Sequence, residues 1–344
     1  MLQEKILVIG PSWVGDMVLA HSLFQTLKAN NSHTQIDVAA PAWTLPLLER
    51  MPEITEKIAL PFKHGELALF ERIKFGKQLK NKNYTQAILL ANSFKSAILP
   101  FAAYIPKRTG FLGEARYGLL NDIRPLDKSK LKKTVERFVA LGLTKDEPLP
   151  KTVPNPKLST NTKSAWILAS SLGITKQKGK VIGLCPGAEY GEAKRWPAEH
   201  YAEVAIHALQ QGWHVWLFGS DKDVDVTSKI NALTQGGCID FGGKTKLGEA
   251  IDLMSLCDTV VSNDSGLMHV AAALSEAGTS VKKVIAIYGS SDPQHTPPMQ
   301  AQAVIEYLGL ACSPCFKREC PLSGDAYLAC LKQISPRKII AHLN

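Results

Sequence analysis

The sequence lacks a membrane span: no uncharged stretch of its 344 residues approaches the roughly 18 apolar residues that cross a bilayer as a helix. Nor is a leader expected. The start, Met1-Leu-Gln-Glu-Lys-Ile-Leu-Val-Ile-Gly10, sets an acid and a base before a strand-like run, so no secretory signal is expected. Cysteine is sparse. Seven residues are too few and too scattered for a disulfide scaffold, and Cys185, Cys238 and Cys257, each alone in apolar or helical surroundings, read as core thiols. With 45% hydrophobic and 21% charged residues the chain is no disordered tail. The expectation is a cytoplasmic protein, and at roughly 100–200 residues per domain a two-domain one.

Acids are the scarcer charge, 31 against 40 Lys and Arg, for a net +9. The excess is local. Residues 72–133 carry fourteen Lys and Arg against Glu114, Asp122 and Asp127, a local +11 that leaves the rest at −2. A basic half beside a nearly neutral one suggests a face that meets something anionic: nucleic acid, a phosphorylated substrate or a membrane surface, with a merely solvated lysine-rich face as the plain alternative.

Two nucleotide motifs are also missing. The turn Ile9-Gly10-Pro-Ser-Trp-Val-Gly15-Asp16 superficially resembles a P-loop, but Asp16 and Met17 stand where Lys and Ser or Thr would be. A carboxylate there repels phosphate, which excludes an ATPase of that kind. The dinucleotide fingerprint G-x-G-x-x-G is absent too.

What is present is alternation. Strand-like runs (Lys5–Ile9, Gln35–Ala39, Thr85–Leu90) precede helical patterns (Asp16–Lys28, Pro41–Met51) or the apolar segment Ser96–Ile105. Past the middle the rhythm repeats: strands Val181–Cys185, Trp213–Phe218, Thr259–Ser262 and Val284–Tyr288, with helices Ala198–Gln211, Asp223–Leu233, Leu247–Cys257 and Gly266–Ser275. Such alternation predicts parallel sheets with crossover helices, and two series predict two doubly wound α/β domains. The polar, proline-dotted stretch Lys145–Pro156, a helix and Lys176–Lys180 form the expected hinge; a boundary near residue 170 separates 1–170 from 171–344. In open parallel sheets ligands bind at the carboxyl ends of the strands, so the loops after the strands carry the functional argument.

Asp16 follows the first strand. It reads either as a helix cap or as a general base for a substrate hydroxyl. After the Val181 strand, Pro186-Gly-Ala-Glu-Tyr-Gly-Glu-Ala-Lys-Arg-Trp-Pro197 combines glycines with Lys194 and Arg195 and reads as an anion loop or as an exposed basic turn. As a loop residue, Lys194 is expected to carry no core contacts. Gly219-Ser220-Asp221-Lys222-Asp223 offers acids for ribose hydroxyls, or ordinary helix capping. Asn263-Asp264-Ser265-Gly266-Leu-Met-His269 opens a helix whose free N–H groups suit phosphate, with His269 one turn inside to reach it or to pack. Tyr288-Gly289-Ser290-Ser291 repeats the strand–glycine–serine design. Several such loops in one half suggest a nucleoside diphosphate there. Finally, Cys312, Cys315, Cys320 and Cys330 are spaced C-x2-C-x4-C-x9-C, which matches no ribbon or ferredoxin pattern; reduced thiols or an incidental disulfide are favoured over metal.

Taken together, Ile6–Met17, Ala91-Asn-Ser-Phe-Lys-Ser96, Arg108–Asp122, Pro186–Pro197 and Ser262–His269 resemble glycosyltransferase family 9, the heptosyltransferases, collinearly over nearly the whole chain. The acceptor-half segments around Asn92 and Arg108–Asp122 are similar to those of the type II lipopolysaccharide enzymes rather than types I or III. The insert Glu276–Lys283 departs from the pattern, away from the matched motifs.

The resemblance implies a GT-B fold, two Rossmann-like doubly wound domains facing across a cleft. It implies inverting, metal-free and cofactor-free transfer of heptose from ADP-L-glycero-β-D-manno-heptose to the first heptose of Kdo2–lipid A, in lipopolysaccharide core biosynthesis. By motif match Asp16 is the catalytic base. Glu189, Lys194, Ser220, Asp223, Asp264, Ser265, Gly266 and His269 fall to the donor. Asn92, Lys95, Arg108 and Arg116 fall to the acceptor. The same resemblance implies peripheral attachment to the cytoplasmic face of the inner membrane, which suits the +11 segment. A nucleic-acid binder is the rival from another class, and no nucleic-acid recognition motif supports it.

Overall fold

The computed structural model describes residues 4–63, 65–175 and 179–343. Residues 176–178 of the expected hinge, and the first three residues of the chain, lie outside them. The chain forms two compact units, Met1–Pro156 and Lys157–Asn344. The division falls after Pro156 rather than near 170, for a local reason. Ser22 Oγ donates to Pro154 O (2.5 Å) and Gln25 Nε2 to Asn155 O (2.9 Å), tying the end of the first unit to its own first helix. Leu158 N–H donates to Ala273 O in the second unit, where the helix Thr162–Ser171 also packs.

The first unit runs β1 (Lys5–Ile9), α1 (Val14–Asn30), β2 (Gln35–Pro41), α2 (Leu45–Leu48), β3 (Glu56–Leu60), α3 (Leu69–Leu79), β4 (Gln86–Leu89), α4 (Phe94–Ala102), β5 (Lys107–Phe111), β6 (Asp122–Arg124) and α5 (Thr134–Gly142). Its six strands are all parallel in the order β3-β2-β1-β4-β5-β6. A sheet covered on both faces needs continuous apolar strands. Ile6–Ile9 and Ala87–Leu89 supply them, buried throughout. The expected helix Pro41–Met51 is instead a single turn, Ala42–Thr44, followed by the one-turn α2, because Pro46 can begin a helix but not continue one from upstream. Helices α3 and α4 cross closely at Gly76, where a Cβ would sit 2.6 Å from Leu99 O.

The second unit runs α6 (Thr162–Ser171), β7 (Val181–Cys185), α7 (Ala198–Gln210), β8 (His214–Leu217), α8 (Val224–Leu233), β9 (Ile239–Asp240), α9 (Leu247–Met254), β10 (Thr259–Asn263), α10 (Gly266–Glu276), β11 (Lys283–Ile287), β12 (Val304–Glu306), α11 (Ala329–Lys332) and α12 (Pro336–Ala341). Its parallel order is β12-β11-β10-β7-β8-β9. Counted from its own first strand, each sheet therefore has the doubly wound order 3-2-1-4-5-6. The crossover direction reverses between β1 and β4 in one sheet and between β7 and β10 in the other. At such a reversal adjacent loops diverge to opposite faces and leave a crevice at the carboxyl ends. Asp16 follows β1 and Asn92 follows β4; Lys194 follows β7 and Asp264 follows β10. Asp16 and Asn92 thus flank the first switch point, and Lys194 and Asp264 the second. Among the described residues no helix is long and apolar enough to cross a membrane.

Candidate active site

In the first unit the turn after β1 leads into α1 with Trp13 at the N-cap, its side chain making no capping bond. Asp16, half-buried, sits in the first helical turn and not at the cap position. A carboxylate there lies at the positive end of the helix dipole, which favours its ionised form. Across the switch point, Asn92 is exposed after β4 and Lys95 is half-buried in the first turn of α4.

Arg116 reaches this loop from below. It is fully buried, with Nη1 donating to Ala91 O (2.8 Å) and Ser96 Oγ (3.1 Å), and Nη2 to Asn92 Oδ1 (3.3 Å) and to Phe111 O. Its geometry braces the Asn92 loop and leaves no surface of its own for a ligand. Arg108 is not brought to this group. It stands near the amino end of β5, bonded to Leu119 O and Ile105 O (both 2.6 Å).

In the second unit β7 opens into the glycine loop, and Lys194 closes a single 3-10 turn, Glu192–Lys194. Its ammonium lies 2.5 Å from Asp264 Oδ2, in a pair whose side chains are 18% and 4% exposed. This corrects the expectation of a loop lysine without core contacts. Ser291 Oγ donates to the same carboxylate oxygen at 2.5 Å. His269, buried one turn into α10, has an Nδ1 with no hydrogen-bond partner. Burial pushes its imidazolium down to about 4; Asp264 opposes the shift and Lys194 adds to it. Ser265 is the N-cap of α10 and makes no side-chain capping bond, and Gly266 is the first helical residue. The first N–H groups of α10, the Lys194 ammonium and a neutral imidazole thus gather at one place, an arrangement suited to an anion.

Ser220 and Asp223 show the capping alternative. Ser220 N and Oγ donate to Asp223 Oδ2 (2.9 and 2.8 Å), and Arg195 Nη2 stands 3.5 Å from Oδ1. The Asp223 carboxyl packs against the Cα of Gly187, where any side chain would collide with it. Glu189 is exposed and pairs with Lys222.

Sequence reasoning missed four contributors. Asn263 is buried at the end of β10; its Nδ2 donates to Pro186 O (2.7 Å), and its Oδ1 accepts from Trp196 N–H and Tyr201 OH (both 3.0 Å). Ser291 was foreshadowed only by the strand–glycine–serine pattern of its loop. Tyr190 packs its ring under the Lys194 ammonium, 5.0 Å from the centroid, and donates its hydroxyl to Phe316 O (2.7 Å). Arg318 O accepts from Ala193 N–H (3.0 Å), so the cysteine-bearing segment is docked on the lysine loop. All seven cysteines are free thiols, and burial, then the neighbouring Cys312, Cys315 and Cys320, push the Cys330 thiol up to about 11. Among the described residues no group of three or more His, Cys, Asp or Glu is arranged to hold a metal ion.

Two doubly wound sheets, one with Asp16 and the other with the Lys194–Asp264 pair at its switch point, are the architecture of a GT-B glycosyltransferase. The chain belongs to glycosyltransferase family 9 (heptosyltransferase), whose family pattern matches residues 72–325. Lipopolysaccharide heptosyltransferase 2 of Escherichia coli (strain K12) is 44% identical over 351 residues, which cover 99% of this chain and 97% of that protein. The solved E. coli ADP-heptose lipopolysaccharide heptosyltransferase II superimposes with a TM-score of 0.87 at 42% identity, covering 99% of this chain and 97% of that one. The E. coli heptosyltransferase WaaC, solved with ADP-2-deoxy-2-fluoro heptose, shares the fold: TM-score 0.70 at 17% identity, over 99% of this chain and all of that one.

Proposed function

We propose that this enzyme moves L-glycero-D-manno-heptose from ADP-heptose to the first heptose of a Kdo2–lipid A inner core, at the cytoplasmic face of the inner membrane. The reading is that of a lipopolysaccharide heptosyltransferase of the second type, and the 44% identity over nearly the whole chain supports it. The observation that carries the chemistry is the pairing of half-buried Lys194 with buried Asp264 beside the open N-terminus of α10.

In this reaction the acceptor hydroxyl oxygen attacks the anomeric carbon on the face opposite the diphosphate. Its proton passes to the Asp16 carboxylate as the new C–O bond forms. The bond from the anomeric carbon to the phosphate oxygen breaks with its electron pair, and ADP leaves. Charge growing on the leaving diphosphate is offset by Lys194 and by the first N–H groups of α10, groups already in place before the reaction. Lys194 is held for that task by Asp264, and Asp264 by Ser291. His269, neutral because it is buried, adds no charge but offers the site a donor or acceptor nitrogen.

The test is to incubate the protein with ADP-heptose and monoheptosyl Kdo2–lipid A and follow ADP release and the acceptor's mass. Gain of one heptose is expected. Release of ADP only with an acceptor bearing no heptose would reassign the enzyme to the first type, and only with a diheptosyl acceptor to the third. Duplex DNA and RNA at physiological salt serve as the control for the basic segment, and no shift is expected.

A further inference from the structure

The segment between β12 and α11, which carries the four spaced cysteines, is bonded to both loops of the anion site. Arg318 O accepts from Ala193 N–H (3.0 Å) and lies so close to the lysine loop that a Cβ on Gly191 would sit 2.4 Å from it. Phe316 O accepts from the Tyr190 hydroxyl (2.7 Å), and Phe316 N–H donates to Ser290 O (2.7 Å). Ser313 Oγ donates to Gly289 O. The backbone at 316 and 318 is therefore fixed against the residues that flank Lys194 and Ser291.

The charged side chains of that site are matched one to one. Lys194 pairs with Asp264 (2.5 Å), Arg195 stands 3.5 Å from Asp223, and Lys222 pairs with Glu189. His269 is kept neutral by burial. A diphosphate ester brings a negative charge on each phosphate, and those pairs leave only the first N–H groups of α10 to offset them. Arg318 is exposed, and among the described residues its guanidinium has no ion-pair partner. It stands 5.3 Å from the centroid of the Tyr190 ring, the same ring that the Lys194 ammonium approaches at 5.0 Å. The two cations are thus no farther apart than these distances added, close to one Debye length at physiological salt. Two cations at one ring repel each other, and one of them lacks a counter-ion. An anion that bridges them relieves both costs.

We propose that the Arg318 side chain is a second donor-binding cation: it takes the adenosine-side phosphate, while Lys194 and the start of α10 meet the phosphate whose oxygen leaves. This rests on the reading of the donor as ADP-heptose. A planar guanidinium suits the task because it grips two phosphate oxygens at once. The adenosine-side phosphate keeps its charge from ground state to transition state, so Arg318 acts on donor binding and hardly on the chemical step. A solvated surface arginine accounts for the exposure of the side chain, but not for its fixed backbone or the ring it shares with Lys194.

The docking bond uses the carbonyl oxygen of Arg318, which any residue supplies, so the side chain can be changed without undocking the segment. The test measures binding of ADP to the full chain by calorimetry, with adenosine as the uncharged probe. Arg318→Gln should weaken ADP about 10–100-fold, the scale of one hydrogen-bonded charge contact. Adenosine affinity and the melting curve should not change. Arg318→Lys should recover part of the loss. In turnover the donor KM should rise by a similar factor while kcat holds, the reverse of the split expected for Lys194→Ala. Lys317→Gln removes an equal charge one residue away and should cost much less. ADP binding that ignores Arg318→Gln overturns the assignment and leaves the proposed reaction standing. An equal loss in Lys317→Gln also overturns it, by reducing the effect to general attraction, as does a parallel loss of adenosine binding, which would make the side chain structural. If the wild type binds no ADP, the donor reading itself fails and the assignment with it.

Discussion

Replacing Lys194 by Ala separates two consequences of one ion pair. The ammonium stands 2.5 Å from a carboxylate that is 4% exposed. Its loss leaves Asp264 buried with only the Ser291 hydroxyl as a partner. Removing one partner of a buried pair costs about 3–5 kcal/mol, most of it the price of an uncompensated charge. Lys194 keeps some contact with solvent, so we take about 3 kcal/mol. For a unit of this size each kcal/mol moves the midpoint by roughly 2–4 °C, which gives a drop of roughly 6–12 °C. Separately, turnover should fall about 10²–10³-fold, the range for losing one preorganised group that meets developing negative charge.

The double variant Lys194→Ala/Asp264→Asn tells the two effects apart. Asn keeps the shape and can still accept from Ser291, while the orphaned charge is gone. Most of the lost stability should return, and none of the lost turnover. The assay pairs a melting curve with ADP release at saturating acceptor, corrected for the folded fraction. Recovered turnover in the double variant would mean that Lys194 serves only to neutralise Asp264. An unchanged midpoint in Lys194→Ala would refute the buried-pair argument, and undiminished turnover would take Lys194 out of the chemistry.

Three further outcomes are expected. Asp16→Asn should lose about 10²–10⁴-fold in turnover, the usual contribution of a general base, with an unshifted melting curve and intact donor binding by calorimetry; full activity would exclude Asp16 as the base. Gly187→Ala should push the Asp223 carboxyl off its contacts with Ser220 and Arg195 and raise the donor KM, because the new Cβ collides with that carboxyl; an unaltered KM would show that the loop yields freely. His269 has a folded-state value of about 4 against an ordinary 6.5, so the unfolded chain binds its proton first as pH falls. Stability should therefore be constant above about pH 6.5 and decline toward pH 4 by about 3 kcal/mol from this group alone. His269→Gln should remove that part of the acid slope, and an identical slope in the variant would refute it.

The sequence showed the strands that matter most because β1, β4, β7, β10 and β11 are buried on both faces, and such strands must be continuous apolar runs. The edge strands β3, β6, β9 and β12, and β5 beside β6, escaped notice: they are two to five residues long, carry Glu, Lys, Asp or Arg, and alternate too briefly to signal a period. Asp16, Lys194 and Asp264 were legible for a similar reason. Each directly follows a readable strand or sits in the turn it feeds, and Asp16 and Asp264 are set beside glycine and serine. What could not be read was who pairs with whom. Lys194 and Asp264 are seventy positions apart, and only the parallel pairing of β7 with β10 brings their loops together. Arg108 and Arg116 make the converse case. Eight residues apart in one motif, they are the same residue in sequence, yet β5 carries Arg108 at its amino end while the chain returns Arg116 beneath Asn92. A linear motif reports chemistry at the ends of strands well. It says little about which arginine ties down the start of its own strand and which is buried as a brace, since that depends on where the next turn folds back. The identity of a site charge is thus local information, its partner is topological, and the stability at stake in Lys194 belongs to the second kind.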